Sequence, residues 1–137
     1  MFVFKTSGRT IGSVVANQKH AFVGQPTEWY VGETILVSKN LADCNPNEKQ
    51  IQYVMKLRGI RPLQPGEAQK YWPGTEGRWR YLVECSGTHR LRSPFNLVAV
   101  LGQAASEYRP VITFKRCSRE HERLLLDHLR IKDADAI

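Results

Sequence analysis

Apolar residues occur along this chain in short runs that have the lengths of β-strands. FVFK at residues 2 to 5 predicts a short buried strand, and ETILVSK at 33 to 39 is a continuous apolar run with both faces expected to be buried. RPVITFKRC at 109 to 117 predicts another strand. These runs indicate a sheet whose strands are far apart in sequence.

Two further segments alternate between apolar and polar residues, which predicts half-buried strands. In KQIQYVMKLRGI, the side chains expected to share one face are Ile51, Tyr53, Met55 and Leu57. In RWRYLVECS, they are Trp79, Tyr81, Val83 and Cys85. The alternation therefore predicts that Trp79 and Tyr81 lie in the core or at its edge.

Helical spacing is clearest in SREHERLLLDHLRIK, which predicts a helix over about 118–131. Ser118 is a suitable N-cap, with acidic residues in the first turn and basic residues in the last. RTIGSVVANQKH predicts a shorter helix, and PFNLVAVLG is compatible with a strand or a short helix. Glycine and proline residues predict loops at 21 to 33 and around Tyr71 and Trp72.

The predicted strands cluster in the middle of the chain and do not alternate regularly with helices. This favours an α+β fold in which a mixed, barrel-like sheet of five to six strands carries two to three short flanking helices. With 137 residues and no internal repeat or linker, we expect a single domain over residues 1–137.

The composition indicates a soluble protein. No run of the sequence approaches the roughly 18 apolar residues of a membrane helix. The three cysteines, Cys44, Cys85 and Cys117, form no C-x-x-C pair. We therefore expect a cytoplasmic protein with reduced thiols, without membrane attachment, disulfides or a zinc framework.

The chain is basic, and the excess charge belongs to the body of the domain. The net charge is +7, with +8 in residues 1 to 117 and −1 in residues 118 to 137. A basic body that is not a basic tail favours a polyanionic partner. Ordinary solubility charge is the alternative interpretation.

Two aromatic pairs are candidates for contact with a flat ligand. Tyr71 and Trp72 precede a Pro-Gly turn and stand near arginines in sequence, so Trp72 is either core or a stacking surface for a base. Stacking is worth about 1–3 kcal/mol per base, which is similar to the gain from burying the ring. Trp29 and Tyr30 form the second pair, of which at least one is expected to anchor its loop to the core.

Five segments resemble the EVE and YTH group of the PUA-like superfamily, in the same order and over about 115 residues. FVFKTSG resembles the first YTH strand and its Lys-Ser/Thr-Ser loop, WYVGETILVSKN the turn into the second major strand, and IQYVMKL the strand that follows. YWPGTEGRWRYLVE resembles the loop tryptophan with its strand, and ITFKRCSREHERLLLDHL the closing strand and helix. Phe22 lies near the position of the first cage tryptophan of YTH domains.

The resemblance implies a PUA-like barrel formed by one EVE/YTH-like domain. It also implies a non-catalytic, cofactor-free reader that holds one flipped or unstacked base, expected to be methylated, in an aromatic pocket. The base-pocket residues implied are Trp72, Trp29, Phe22, Thr6, Ser7, Asn40 and Trp79. The residues expected at the DNA or RNA backbone are Lys5, Lys39, Arg78, Arg80, Arg90 and Arg92. A monomer is expected. The resemblance is also compatible with a role in a modification-dependent restriction system, in which this domain would recognise DNA beside a larger effector.

Enzyme chemistry has little support in the sequence. The carboxylates are scattered, the histidines have no metal-ligand spacing, and Cys85 has no partnered base. No catalytic residue and no metal site is therefore predicted. One alternative is an RNA-binding or RNA-processing protein, because PUA-like relatives of the ASCH type are suspected of RNA processing. A protein–protein adaptor is the other.

Overall fold

Six strands and four α-helices form the part of the chain that the computed structural model describes, residues 1–7, 10–24, 28–39, 50–108 and 113–137. The strands are β1 Phe2–Thr6, β2 Lys19–Phe22, β3 Thr34–Lys39, β4 Ile51–Pro62, β5 Tyr81–Phe95 and β6 Thr113–Arg116. The helices are α1 Ile11–Asn17, α2 Glu67–Tyr71, α3 Leu97–Leu101 and α4 Arg119–Lys132, with 3-10 turns at Gly102–Tyr108 and Ala134–Ala136. The predicted combination of a mixed sheet and several helices is confirmed.

The strands form a single curled sheet in the order β2-β5-β4-β3-β1-β6. β1 runs parallel to β3, and the other four pairs are antiparallel. Three register shifts interrupt the long β4–β5 ladder, and such irregularities bend a strand pair. The sheet curls until its two edge strands meet through Phe22 of β2 and Phe114 of β6, whose ring centroids are 4.9 Å apart.

Each face of the curled sheet buries its own apolar core. The inner face carries the barrel core, a cluster that includes Phe4, Val37, Met55, Leu57 and Val83. The outer face packs against α3, α4 and the first 3-10 turn, and contributes Val3, Leu36, Val54 and Leu91 to the helix-side core. Leu125 and Leu129 of α4 complete that second core. Because β1 and β3 supply both cores, they are buried on both faces, as the continuous apolar run in β3 predicted.

The terminal helix is close to its predicted position. α4 spans Arg119–Lys132, and the hydroxyl of Ser118 accepts a hydrogen bond from the backbone N–H of His121 at 3.2 Å. Glu120 and Glu122 lie in its first turn, where their negative charges interact favourably with the positive end of the helix dipole. The predicted N-cap and helix are therefore confirmed.

Two short elements were predicted as loops. Ala21 and Phe22 belong to β2, and Tyr71 ends α2. β2 has four residues and α2 has five, so neither is long enough for its apolar spacing to be recognised in the sequence. Pairing with β5 and contacts with the sheet stabilise these elements, and a sequence pattern does not record either.

The predicted faces are wrong at two positions. Ile51 lies in the helix-side core, while Tyr53, Met55 and Leu57 pack on the barrel core. A register shift between Ile51 and Tyr53 separates them. Trp79 precedes the start of β5 at Tyr81 and packs with a third cluster instead of the barrel core, because strand alternation does not extend into the preceding turn.

Candidate nucleic-acid interface

A small apolar cluster covers the outer face of the β2 edge. Ala21 of β2 stands opposite Leu82 of β5, and both pack against Trp72. Trp72 is 7% exposed, so its ring forms the floor of the cluster. Tyr71 and Trp79 are half-buried and pack around it. The edge of the sheet therefore presents two partly exposed aromatic rings outside the barrel.

Cations lie against both of these rings. The ammonium groups of Lys19 and Lys70 are each 5.2 Å from the centroid of the Tyr71 ring. The guanidinium of Arg78 is 5.8 Å from the ring of Trp79. These distances allow cation–π attraction. We call this surface the aromatic–cation patch; its members are Tyr71, Trp72, Trp79, Lys19, Lys70 and Arg78.

An arginine-centred network fixes α2, which carries Tyr71, to the sheet. Arg61 of β4 donates two hydrogen bonds to the Glu67 carboxylate, at 2.6 and 2.7 Å, and a third to Glu84 of β5 at 2.9 Å. Glu67 also accepts the backbone N–H of Gln64 at 2.6 Å. The hydrogen bonds from Arg61 lower the pKa of the Glu67 carboxyl to about 2. The short helix thus depends on tertiary ion pairs for its position.

Aromatic rings also close the gap between the two edge strands of the curled sheet. Phe4 lies edge-on to His20 at 5.0 Å and contacts Phe114 at 4.1 Å. Phe22 contacts Phe114 from β2, and Phe2 stacks on Phe114 at 4.3 Å. We call these five side chains the aromatic seam. Between β2 and β6, contacts between rings take the place of a backbone ladder, because these two strands are the edges of the sheet order.

His20 is a site residue that the sequence did not single out. It stands opposite Val83 in the β2–β5 pair, and Phe22 stands opposite Tyr81, so both rings face the barrel interior. Burial lowers the pKa of His20 to about 4, so its ring is neutral at physiological pH. The signal in the sequence was alternation of His20 and Phe22 within a strand too short to recognise.

Hydroxyl groups gather where the parallel strands β1 and β3 end. Thr10 Oγ1 is 2.6 Å from Thr6 Oγ1 and 2.8 Å from Ser7 Oγ. Lys39 stands opposite Thr6 in the register and has no hydrogen-bond or ion-pair partner among the described residues. We call Thr6, Ser7, Thr10 and Lys39 the strand-end cluster. It combines hydroxyls with one ammonium group, which suits contact with a phosphate or the edge of a base.

The structure distributes the predicted base-pocket residues over three places. Trp72 and Trp79 lie in the aromatic–cation patch. Phe22 and Trp29 pack on the barrel core. Thr6 and Ser7 belong to the strand-end cluster, and Asn40 lies outside the described residues. The residues do not converge on one pocket, and their contact with a base stays a prediction.

The side chains predicted to contact the nucleic-acid backbone differ in whether they already pair with other groups of the protein. Lys5 donates a hydrogen bond to the carbonyl of Tyr108, and Arg92 pairs with Asp135. Arg80 and Arg90 are exposed and form no ion pair within the part of the chain that the structure describes. Arg78 lies in the patch. Arg78, Arg80 and Arg90 are therefore better placed for phosphate contact than Arg92.

The two described cysteines are buried thiols. Burial raises the pKa of the Cys85 thiol to about 12 and also raises that of Cys117, which keeps both thiols protonated; Cys44 lies outside the described residues. Across residues 1–7, 10–24, 28–39, 50–108 and 113–137, no three His, Cys, Asp or Glu side chains form a group that could hold a metal ion. None of the helices described is long and apolar enough to cross a membrane.

The arginine network predicts a pH-dependent stability. We expect Glu67→Gln to lower the free energy of unfolding by about 1 kcal/mol at pH 7, a value discounted for screening because the Arg61 side chain is 37% exposed. Folding depresses the pKa of Glu67 from 4.5 to about 2. Its contribution is therefore present above about pH 4.5 and is lost as the pH falls toward 2.

Urea unfolding of the wild type and Glu67→Gln, followed by tryptophan fluorescence between about pH 7 and pH 2.5, measures this effect. The difference between the two proteins should shrink on acidification. Glu76→Gln, which removes an exposed carboxylate from the nearby turn, is the control and should show no such trend. A difference for Glu67→Gln that stays constant over this pH range would contradict the network.

Comparison with known proteins places the fold. No family model matches the chain, and no curated protein matches it. The structure is similar to a crystal structure of ASCH from Zymomonas mobilis, with a TM-score of 0.57, 14% sequence identity and coverage of 92% of this chain and 93% of that chain. Two mutant proteins of this ASCH match with TM-scores of 0.58 and 0.61, each at 13% identity. At such low identity the likeness shows the fold alone: the chain has the fold of these ASCH structures.

Proposed function

We propose that this protein binds single-stranded nucleic acid through the aromatic–cation patch. The observation that carries the proposal is the placement of three cations against the two partly exposed rings, Tyr71 and Trp79. Proteins bind single strands by combining rings that stack on bases with cations that contact the backbone. A duplex offers no free base faces, so the patch suits an unpaired strand better.

The distribution of charge supports the same face. One Arg61 pairs with both the Glu67 and Glu84 carboxylates near the patch, so one negative charge remains beside the three cations Lys19, Lys70 and Arg78, and the patch stays net positive. On α4, by contrast, Asp127 pairs with basic neighbours, and residues 118 to 137 carry a net charge of −1. A polyanion is therefore attracted to the β2 edge in preference to α4.

The finer part of the proposal is recognition of one modified base, as in EVE and YTH domains. Phe22, Trp29 and the other rings of the barrel core offer apolar contact, which favours a methylated base over its parent by contact area. Ser7 is partly exposed and supplies a hydroxyl for the edge of a base, whereas the Thr6 hydroxyl is buried and bonded to Thr10. Extraction of a base costs a few kcal/mol, which the phosphate contacts of the patch would offset.

RNA processing is the second candidate, and the strand-end cluster is the observation that favours it. In the strand-end cluster, Lys39 stands opposite Thr6 in the strand register, and the Thr6 and Ser7 hydroxyls bond to Thr10. An ammonium group of this kind can stabilise the charge that develops on a phosphate during cleavage. Incubation of end-labelled RNA with the protein, with and without a chelator, separates this activity from binding. Cleavage that Lys39→Gln abolishes would favour the enzyme.

A pair of lysine variants tests the strand-binding proposal. Lys70→Gln removes a cation from the patch, and Lys132→Gln removes an exposed cation from the end of α4. We expect Lys70→Gln to weaken binding to a short fluorescent strand several-fold. It should also reduce the slope of log K against log salt by up to about 0.7, the value for one phosphate contact with a single strand. Lys132→Gln should change neither quantity.

Tyr71→Leu separates stacking from charge in the same titration. It should weaken binding about fivefold or more without changing the salt slope, because no cation is removed. Melting temperatures confirm that each variant is folded. Equal losses for Lys70→Gln and Lys132→Gln would mean that binding reflects general charge and would refute the patch.

A panel of oligonucleotides tests the modified-base proposal. Matched DNA and RNA strands carry either unmodified bases or one N6-methyladenine, 5-methylcytosine or 5-hydroxymethylcytosine. We expect one modified strand to bind at least tenfold more tightly, about 1.4 kcal/mol. Phe22→Leu should remove that preference alone, whereas Tyr71→Leu should weaken all strands alike. Equal affinity for every strand would leave strand binding intact and overturn the modified-base proposal.

A further inference from the structure

The two faces of β2 carry different chemistry. Lys19 belongs to the aromatic–cation patch, and Ala21 packs beneath it. His20 and Phe22 alternate with them and face the barrel interior. The four-residue edge strand β2 therefore separates the patch from the aromatic seam. A base that leaves a nucleic acid bound at the patch would need to pass only β2 to reach the seam.

The hydrogen-bonding state of His20 is fixed by its backbone. Its Nδ1 atom accepts a hydrogen bond from the N–H of Ala21 at 2.8 Å. An imidazole whose Nδ1 is an acceptor carries its proton on Nε2 when it is neutral. The pKa of about 4 keeps the ring in that neutral form. His20 is therefore a neutral donor with its N–H at Nε2.

This donor is open to a ligand. His20 has no partner for Nε2 among the residues described, and Nε2 is not among the buried polar atoms that lack a partner. As whole residues, His20 and Phe114 are each partly exposed. Phe4 and Phe22, which are buried, pack beneath them. The His20 N–H thus lies beside an aromatic surface and has no acceptor among the described residues.

We propose that His20 recognises the edge of an unstacked nucleobase at the aromatic seam by donating a hydrogen bond from Nε2. The inference rests on the proposed binding of single strands and names the residue that reads the base. A nucleobase fits because it combines a flat apolar face with ring or carbonyl acceptors at its edge. A base without the matching acceptor would leave the His20 donor unpaired and would be rejected.

Free nucleosides test the site without depending on the patch. In protein labelled with 15N-histidine, titration with adenosine, N6-methyladenosine, cytidine, 5-methylcytidine, guanosine and uridine should shift the Nε2 resonance of His20 saturably with at least one nucleoside. Tyr71→Leu should leave this titration unchanged, because nucleosides need no strand contact. If no nucleoside shifts Nε2, the inference is overturned even if strands bind; if strands fail to bind but nucleosides shift Nε2, only the strand-binding proposal is lost.

Deletion of single acceptor atoms identifies the hydrogen bond. For the nucleoside that binds, analogues that replace one acceptor with C–H should include one that binds the wild type about tenfold more weakly. His20→Phe keeps an aromatic ring but no donor, and should bind the parent and that analogue equally. His20→Gln restores an N–H and should recover part of the discrimination. The same discrimination in His20→Phe as in the wild type would also overturn the inference.

Discussion

The antiparallel pairing of β2 with β5 is the interaction on which the proposed binding face depends. β2 is an edge strand of four residues, and its register with β5 decides which side chains face the patch and which face the seam. Gln18 starts this pairing from a left-handed conformation, with φ of 54°, which costs a residue other than glycine about 1 kcal/mol. Its carbonyl accepts the N–H of Cys85 at 2.8 Å, and its side-chain oxygen accepts from the Thr88 hydroxyl at 3.0 Å. These bonds to β5 offset the strain and fix the turn between α1 and β2.

The same pairing relates the three candidate surfaces. α1 has seven residues and is about 10 Å long. Thr10 of the strand-end cluster precedes it, and Lys19 of the patch follows Gln18 at its other end. Along a stacked strand, that distance corresponds to about three nucleotides. A short single strand is thus long enough to contact the patch and the strand-end cluster at once, with the aromatic seam beneath β2.

Sequence patterns predicted the elements that are long or locally capped. α4 was predicted because its 14 residues show helical spacing after the Ser118 cap. β3 was predicted because both of its faces are buried. The short elements β2 and α2 were not predicted, because their stability comes from β5 and from the Arg61 network. Those two elements carry His20, which the sequence did not single out, and Tyr71, which it gave only as part of a candidate aromatic pair in a loop.

Individual side chains were harder to place than the fold. Alternation placed Trp79 in the core or at its edge, on the same face as Tyr81 and Val83, but the strand begins two residues later and the ring packs with Trp72. The resemblance to EVE and YTH domains grouped Trp72 with Phe22 in one pocket. In the structure, Trp72 packs on Ala21 at the outer face of β2, whereas Phe22, the next residue, packs on the barrel core at the other face. One-residue differences in strand bounds decide such assignments, and a motif match does not define bounds so closely.

Backbone amide NMR with a short single strand tests the central claim most directly, because it reports every surface of the protein in one titration. The account predicts that chemical shifts change with added strand at β2, at α2 and along the turn from Trp72 to Arg80. Amides of α4 from Arg119 to Lys132 should stay unchanged. Shifts confined to α4, or no saturable shift at salt near physiological strength, would contradict the assignment of the β2 edge as a nucleic-acid interface.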